Sequence, residues 1–331
     1  MDLILGPHGA YGKVQPCKKN TLPEGYFLSD RSEKDKKWDA HRANSERVED
    51  LYSESDRFSR LAERMSKCST WLKFGERVST DTGELKLKLA QASFCRVRHC
   101  PVCGWRRTLR NTARFFDRIP ALLTEHPKAR FLFLTLTVPN CAPAELRAKI
   151  TDMNRAWQRL IQLKGWPAVG WVRTVEVTRG KDGSAHPHFH ALLMVKPGYF
   201  TKYYIKQEEW LQRWRDCMRD QSILMVDVRA VKPKIEGQEL HAAVVETLKY
   251  STKVTDAFAD PQWLYDMTDQ LHKLRFMASG GLLKDIFKEN LTDEEMIAGD
   301  EPAIDAEDPQ RKLLFTWRAE HGRYALKNPG L

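Results

Sequence analysis

The stretch Ala185-His-Pro-His-Phe-His-Ala-Leu-Leu-Met-Val195 decides how the rest of the chain is interpreted. Its alternation of histidine with other residues is typical of a β-strand, in which successive side chains project to opposite faces. His186, His188 and His190 then share one face, and Phe189 lies on the other. Two imidazoles on one face can bind the same divalent cation through their ring nitrogens. Three of the ten histidines of the chain fall within five residues, which favours a metal site over an ordinary buried strand.

A carboxylate on the preceding predicted strand is a candidate third ligand. The turn Gly180-Lys-Asp-Gly183 predicts that this strand and the histidine strand form a hairpin. Glu176 then lies near the level of His188 or His190. His186 is the alternative third ligand, and a surface position for Glu176 is the other interpretation. Nitrogen and oxygen ligands with open coordination positions suit Mg²⁺ or Mn²⁺ bound to a phosphate.

Four cysteines in the first third of the chain predict a zinc site. Cys100 and Cys103 form a Cys-x-x-Cys pair flanked by proline and glycine, a spacing that lets tetrahedral zinc take both thiolates. Cys95 and the distant Cys68 complete four sulfurs, with His99 as a possible substitute. A redox pair or unligated thiols are the alternatives. An odd total of seven cysteines without an export signal argues against a disulfide framework.

The overall charge favours an anionic partner. The 331 residues carry a net charge of +10, and the isoelectric point is near 9.2. Residues 287–310 hold nine acidic residues and one lysine, so the rest of the chain carries +18. A protein this basic most often binds nucleic acid. Because no apolar run is long enough to cross a bilayer and no signal peptide is recognised, we expect a cytoplasmic protein with no membrane partner.

A basic helix is predicted after the cysteines, over residues 105–123. Its arginines recur at helical spacing and lie near one another. Beside a zinc site in a basic protein, they are candidates for contact with DNA phosphates, although a solvated helix face has the same pattern. The candidates for DNA contact or base stacking are Trp105, Arg106, Arg107 and Arg110, with Arg114 extending the row and Trp210 and Arg213 on a later helix.

Hydrophobic periodicity outlines the remaining elements. One amphipathic helix, with Val48 and Met65 near the ends of its apolar face, is predicted before the cysteine cluster. Strands are predicted at 71–78, 85–90, 130–138, 170–178, 185–195 and 223–231, and helices at 144–163, 208–219 and 241–255. Helical fragments, the acidic segment and a basic end at 311–327 complete the chain.

The last of these helices carries a second set of reactive side chains. Glu246, Tyr250 and Lys253 occupy positions i, i+4 and i+7 and therefore form one stripe, with Lys249 beside it. A tyrosine can act as a nucleophile where a nearby cation stabilises its phenolate, and a glutamate can activate water. Taken alone, the pattern is that of an ordinary amphipathic helix, and it gains meaning only beside a metal site.

Three motifs, taken together and in their order along the chain, resemble those of a known protein family. They are Phe133-Leu-Thr-Leu-Thr-Val-Pro-Asn140, the His-Pro-His-Phe-His segment that ends at His190, and Glu246 with Tyr250. The combination resembles the rolling-circle plasmid replication initiators of the HUH endonuclease superfamily, specifically the group with a Glu-x-x-x-Tyr helix. Cys-Pro-x-Cys followed by Trp-Arg-Arg also resembles that group's N-terminal cysteine cluster. The likeness covers about residues 68–255 and rests on the three motifs together.

The resemblance implies an α+β fold. It predicts a ferredoxin-like antiparallel sheet flanked by helices, with the two-histidine strand central and the tyrosine on a neighbouring helix. We expect four regions: an N-terminal extension with the amphipathic helix at 1–65, a Cys-rich zinc-binding region with the basic helix at 66–128, an HUH endonuclease core at 129–258, and a helical C-terminal region with the acidic segment at 259–331.

The resemblance also implies a reaction. A divalent cation, Mn²⁺ or Mg²⁺, held by His188 and His190 would polarise the scissile phosphate of one DNA strand. Tyr250 would attack that phosphate, giving a 5′-phosphotyrosine and a free 3′-OH that primes synthesis. Glu246 would activate water at termination, and Lys253 would orient the phosphate or lower the pKa of the phenol.

The implied partner is a plasmid origin in single-stranded or hairpin form. Because the sequence has no P-loop pattern, a host helicase and polymerase are expected to act with the protein. A transposase or conjugative relaxase of the same superfamily is the nearest alternative. A zinc-dependent DNA-binding regulator without catalysis is the alternative from another class, but it gives no reason for the aligned histidines.

Overall fold

The computed structural model describes residues 26–31, 33–78, 85–231, 238–249, 254–287, 297 and 312–327. Within these ranges the chain forms helices and antiparallel strands, which confirms the α+β class. The helices are α1 (Leu28–Arg31), α2 (Lys36–Ser53), α3 (Ser59–Ser66), α4 (Pro101–Glu125), α5 (Leu146–Ile161), α6 (Gln207–Met218), α7 (Gln238–Leu248), α8 (Val254–Ala259) and α9 (Pro261–Gln270). The strands are β1 (Trp71–Val78), β2 (Leu85–Ala92), β3 (Arg130–Thr137), β4 (Ala168–Arg179), β5 (Ala185–Val195), β6 (Val226–Val231), β7 (Met277–Gly281), β8 (Lys312–Arg318) and β9 (Arg323–Leu326).

The histidine strand, β5, is the central strand of a five-stranded antiparallel sheet in the order β6-β3-β5-β4-β7. This position confirms the prediction that the strand is central. The predicted hairpin of β4 and β5 is also present, and its register pairs Glu176 with His188. Gly183 adopts a φ of 82° in the turn, a conformation that glycine accepts without steric cost.

Both faces of this sheet are covered, which explains the nearly continuous apolar runs of β3 and β5. One face packs against α5 and α6, where Trp157 and Trp214 contact Phe189 of the histidine strand. The opposite face carries the histidines and packs partly against α4 and α7 through residues such as Phe115 and Val244. The metal-ligand candidates therefore lie between the sheet and a helical layer.

A second antiparallel sheet of four strands, in the order β2-β1-β8-β9, belongs to the Cys-rich part of the molecule. Its last two strands come from the basic end of the chain, and Leu72 of β1 pairs with Phe315 of β8. The C-terminal region, given as 259–331, contains α9, in line with the predicted helical fragments, but it also contains β7, β8 and β9, which the sequence pattern did not predict. The four-region division of the chain stays a prediction.

Two predicted helices differ from the structure. The helix expected before the cysteines is broken after Ser53, and α3 begins at Ser59, because the intervening Phe58 turns inward to stack on Tyr265 at a ring-centroid distance of 5.2 Å. The helix expected at 241–255 ends at Leu248, so α7 and α8 are separate. None of the helices in the described ranges is long and apolar enough to span a membrane.

Candidate active site

Glu176, His188 and His190 form a buried cluster on the helix-covered face of the five-stranded sheet. Glu176 Oε2 lies 2.9 Å from His190 Nε2 and 3.4 Å from His188 Nε2. The three residues are only 7–8% exposed. Their possible ligand atoms all lie within 4.8 Å of one another, close enough to contact one ion. The register explains this geometry, since directly paired residues on antiparallel strands project to the same face.

The orientation of the two imidazoles fits a metal ion. His188 Nδ1 lies 3.3 Å from the backbone carbonyl oxygen of His186, which can only accept a hydrogen bond. A neutral His188 ring that donates from Nδ1 to this oxygen directs the lone pair of Nε2 at the Glu176 carboxylate. Two acceptors that face each other repel unless a cation lies between them. A divalent cation with nitrogen and oxygen ligands satisfies this arrangement.

His190 is held in place by its neighbours on β3. Its Nδ1 lies 3.2 Å from the hydroxyl of Thr135, and its ring stacks on Phe133 at a centroid distance of 5.3 Å. Metal-binding histidines commonly use their second ring nitrogen in this way, since the contact fixes the tautomer and the ring orientation. Both supporting residues lie in the motif that ends at Asn140, but the sequence analysis gave them no role.

The electrostatics of Glu176 favour its ionised form. Burial alone would raise the pKa of the carboxyl group, but the hydrogen bonds and charge interactions with His188 and His190 outweigh that effect and hold the pKa well below its ordinary value. An ionised carboxylate in this position is the form that binds a cation.

His186, the alternative third ligand, lies outside this group among the described residues. Its Nδ1 contacts Asn140 Oδ1 at 2.8 Å, while Asn140 Nδ2 donates to Ser184 Oγ at 2.7 Å. His186 therefore belongs to a polar network beside the turn that joins β4 and β5. Glu176, and not His186, lies with the two buried histidines in the candidate metal group.

Helix α7 brings a second carboxylate to the cluster. Glu246 Oε1 lies 4.0 Å from His190 Nε2 and 3.6 Å from Lys249 Nζ. The last turn of the helix is fixed to β4, where the Thr174 hydroxyl donates a hydrogen bond of 2.5 Å to the carbonyl oxygen of Thr247. Glu246 is thus positioned beside the candidate metal ligands. The other two catalytic candidates, Tyr250 and Lys253, lie outside the described residues.

Four buried cysteines form a second group of possible metal ligands, as predicted. The sulfur atoms of Cys68, Cys95, Cys100 and Cys103 lie within 4.8 Å of one another, and Cys68 Sγ is 3.6 Å from Cys103 Sγ. This group joins the loop before β1, the loop after β2 and the start of α4. His99 does not belong to it; burial lowers the pKa of that imidazole to about 3.

The surroundings of Cys100 favour its thiolate form, whereas hydrogen bonding and burial raise the pKa values of Cys68 and Cys95. Burial would raise the pKa of Cys100, but hydrogen bonds from the other three thiols and from Ser45 outweigh it and lower that pKa well below its ordinary value. Ser45 Oγ, on α2, lies 3.2 Å from Cys100 Sγ. Backbone N–H groups also point at the sulfurs, as that of Arg96 does toward Cys103 at 3.3 Å. The sequence analysis did not identify Ser45.

Helix α4 does not present the exposed arginine row that its sequence indicates. Arg106 and Arg110 are only 6% and 5% exposed, and Arg106 donates a hydrogen bond to the carbonyl oxygen of Ile297. Arg107 donates to the carbonyl oxygen of Arg96, and Trp105 stacks on His41. Burial counts against Arg106 and Arg110 as direct DNA contacts. Trp105 and Arg107 are half-buried, and their role in DNA contact stays a prediction.

The two further candidates for DNA contact lie on α6. Trp210 is completely buried in the core, so the proposal that it stacks on a base is wrong. Arg213 forms an ion pair of 2.6 Å with Glu209, and its role in DNA contact stays a prediction.

We expect the Thr135→Val substitution to weaken metal binding by about 10–100-fold, because it removes the hydroxyl that orients His190. Mn²⁺ titration measures this effect. Thr137→Val is the matched control, since the Thr137 hydroxyl donates to the carbonyl oxygen of Met225 at 2.7 Å and not to an imidazole. Equal metal affinity in both variants would show that Thr135 does not support the site.

The fold and the two clusters define an α+β protein with two candidate metal centres, one of imidazole and carboxylate groups and one of thiols. The model of the replication protein family matches residues 86–325. The chain belongs to this family, which confirms the resemblance at the family level.

The relatives agree with this assignment. The chain is 32% identical over 308 residues to "Protein rep" of Streptococcus pneumoniae serotype 2 (strain D39 / NCTC 7466), covering 90% of this chain and 94% of the relative. It is 34% identical over 302 residues to "Protein rep" of Bacillus amyloliquefaciens, covering 82% and 86%. A "Protein rep" of Staphylococcus aureus is 38% identical over 194 residues, covering 57% and 80%. No solved structure matches the chain significantly.

Proposed function

We propose that this protein initiates plasmid rolling-circle replication by cutting one DNA strand at the origin. The observation that carries the proposal is the buried cluster of Glu176, His188 and His190 on the central strand of a replication-family chain. Glu176, His188 and His190 would hold Mn²⁺ or Mg²⁺, which when bound would polarise the scissile phosphate. Glu176 would supply negative charge to the cation, and the two imidazoles would be its nitrogen ligands.

Tyr250 is the proposed nucleophile. Its phenolic oxygen attacks the scissile phosphorus and displaces the 3′ oxygen of the preceding nucleotide. A phosphotyrosine ester forms as the phosphodiester bond breaks, so the energy of the bond is retained and the free 3′-OH primes synthesis. Support comes from the position of Glu246 and Lys249 beside the cluster, because Tyr250 directly follows Lys249 in the chain. Lys253 would neutralise phosphate charge.

Glu246 is the proposed base at termination. Its carboxylate lies close to the metal ligands, where it can take a proton from an attacking water or hydroxyl group. The activated water would hydrolyse the phosphotyrosine bond and so release the enzyme from DNA after one round of replication. A host helicase and polymerase would carry out the synthesis that follows.

The four-cysteine group is the proposed site of a structural zinc ion. Four buried cysteine sulfurs close together are the ligand set that suits zinc in a structural role. Zinc in this position would connect the loop before β1, the loop after β2 and the start of α4.

A covalent-adduct assay tests the proposed function. The protein is incubated with Mn²⁺ and single-stranded oligonucleotides that tile the plasmid origin, and the products are separated under denaturing conditions. We expect a protein–DNA adduct whose phosphotyrosine maps to Tyr250, none with Tyr250→Phe, and an unchanged adduct with the control Tyr204→Phe, an exposed tyrosine. A regulator without catalysis gives no adduct, and a transposase or relaxase gives one without origin preference.

We expect the Glu246→Gln substitution to preserve the first cleavage but to slow terminal hydrolysis by about 10²–10⁴-fold, the usual contribution of general-base catalysis. The two steps are measured separately, with an intact oligonucleotide and with the isolated adduct. Glu208→Gln, on the exposed start of α6, is the control. Equal loss of both steps would contradict the assigned role.

A further inference from the structure

Two neighbouring apolar side chains are exposed beside the candidate active site. Leu224 is 85% exposed and Met225 is 59% exposed, immediately before the edge strand β6. Leu224 is the most exposed of the large hydrophobic side chains among the described residues. Single exposed apolar residues are common, but an adjacent pair at an active site indicates a surface that binds a ligand.

The backbone that carries this pair is held firmly. Arg215 Nε donates to the carbonyl oxygen of Ile223 at 2.7 Å, and the Thr137 hydroxyl donates to that of Met225 at 2.7 Å. Gln207 Nε2 donates to the carbonyl oxygen of Val226 at 2.9 Å. Three side chains therefore fix consecutive parts of the segment, while Leu224 and Met225 project into solvent. A fixed backbone with exposed apolar side chains suits binding without an ordering cost.

The strand register places the pair near the metal ligands. Val226 pairs with Leu136, so Met225 follows at the level of Thr137, which pairs with His188. Two strand spacings, about 10 Å, thus separate Met225 from His188. This distance is about three nucleotide steps of a B-form strand, which advances 3.4 Å per nucleotide, and fewer steps of an extended one.

We propose that Leu224 and Met225 pack against unpaired bases of the DNA strand within about three nucleotides of the scissile phosphate. The inference rests on the proposed function, because that function places a DNA phosphate at His188 and His190. Leucine and methionine are residue types that proteins insert against DNA bases.

The test combines Leu224→Ala/Met225→Ala with oligonucleotides that lack one base. Abasic sites are placed one at a time at the three positions on each side of the nick, and KM and kcat for cleavage are measured. With intact DNA we expect the double variant to raise KM about 5–20-fold through lost apolar contact, with little change in kcat. Removing the base that Leu224 and Met225 contact should raise KM for the wild-type protein but not for the variant, which has already lost that contact.

Leu282→Ala is the matched control. Leu282 is 41% exposed, but it lies beside Val195, at the end of β5 that is far from His188. We expect the control to behave like the wild-type protein. If the wild-type protein cleaves and the double variant has the same KM, the inference is overturned while the proposed function stands. If the wild-type protein cleaves none of the origin oligonucleotides, the proposed function itself fails.

Discussion

Replacing His190 with alanine is expected to slow DNA cleavage by about 10³-fold, the equivalent of several kcal/mol of transition-state stabilisation. His190 contributes a buried nitrogen 2.9 Å from Glu176, and its loss leaves His188 as the one imidazole beside the carboxylate in the described part of the chain. Weaker Mn²⁺ binding should accompany the loss of activity. Single-turnover cleavage and Mn²⁺ titration measure the two effects on the same preparation.

The neighbouring histidine provides the control for that experiment. His186 is on the same strand and face, but it contacts Asn140 and lies outside the candidate metal group. We expect His186→Ala to retain Mn²⁺ binding, whereas Glu176→Gln should lose it. A His186→Ala protein that binds no Mn²⁺ would make His186 the third ligand. Because the substitution also removes the ring that stacks on Phe133, a melting curve of His190→Ala measures the lost packing separately from the lost cleavage.

The second large effect is expected at the cysteine cluster. We expect Cys100→Ser to remove bound zinc and to lower the free energy of unfolding by about 5 kcal/mol or more, since zinc contributes about 10–16 kcal/mol in zinc-finger peptides. Cys100 is completely buried and contacts both Cys68 and Ser45. Metal analysis gives the zinc content, and chemical denaturation gives the stability.

A buried cysteine outside the cluster is the matched control. Cys141 is buried near the hairpin of β4 and β5, and we expect Cys141→Ala to keep its zinc and to lose only about 1 kcal/mol. Hydrogen exchange should show that Cys100→Ser exposes β1 and α2 while β5 stays protected. A Cys100→Ser protein with full zinc content and unchanged stability would exclude a structural role for the cluster.

The central part of the site was predictable because its signals are local. Alternation along residues 185–195 sets which side chains share a face, and a short glycine turn sets which residue of β4 faces His188. The spacing of Cys100 and Cys103 likewise predicts a shared ligand group, and Cys68 was found because few cysteines are available.

Other features depend on contacts that the local sequence does not encode. Helical spacing shows that Arg106 and Arg110 lie near one another, but not that they are covered by protein. The strands of the basic end were missed because the partner of β8 is β1, far away in the sequence. The supporting roles of Thr135 and Ser45 depend on hydroxyl contacts that carry no distinctive sequence signal.

The pairing of β1 with β8 has a consequence for biosynthesis. Leu72 emerges from the ribosome long before Phe315, its partner, has been translated. Until then one edge of β1 has no strand to accept its hydrogen bonds, and an unpaired edge is a template for aggregation. Non-local pairing of this kind also slows folding. A nascent chain that stops before residue 312 can therefore form the histidine strand but not the four-stranded sheet. The Cys-rich half can complete its sheet only after β8 and β9 have been translated.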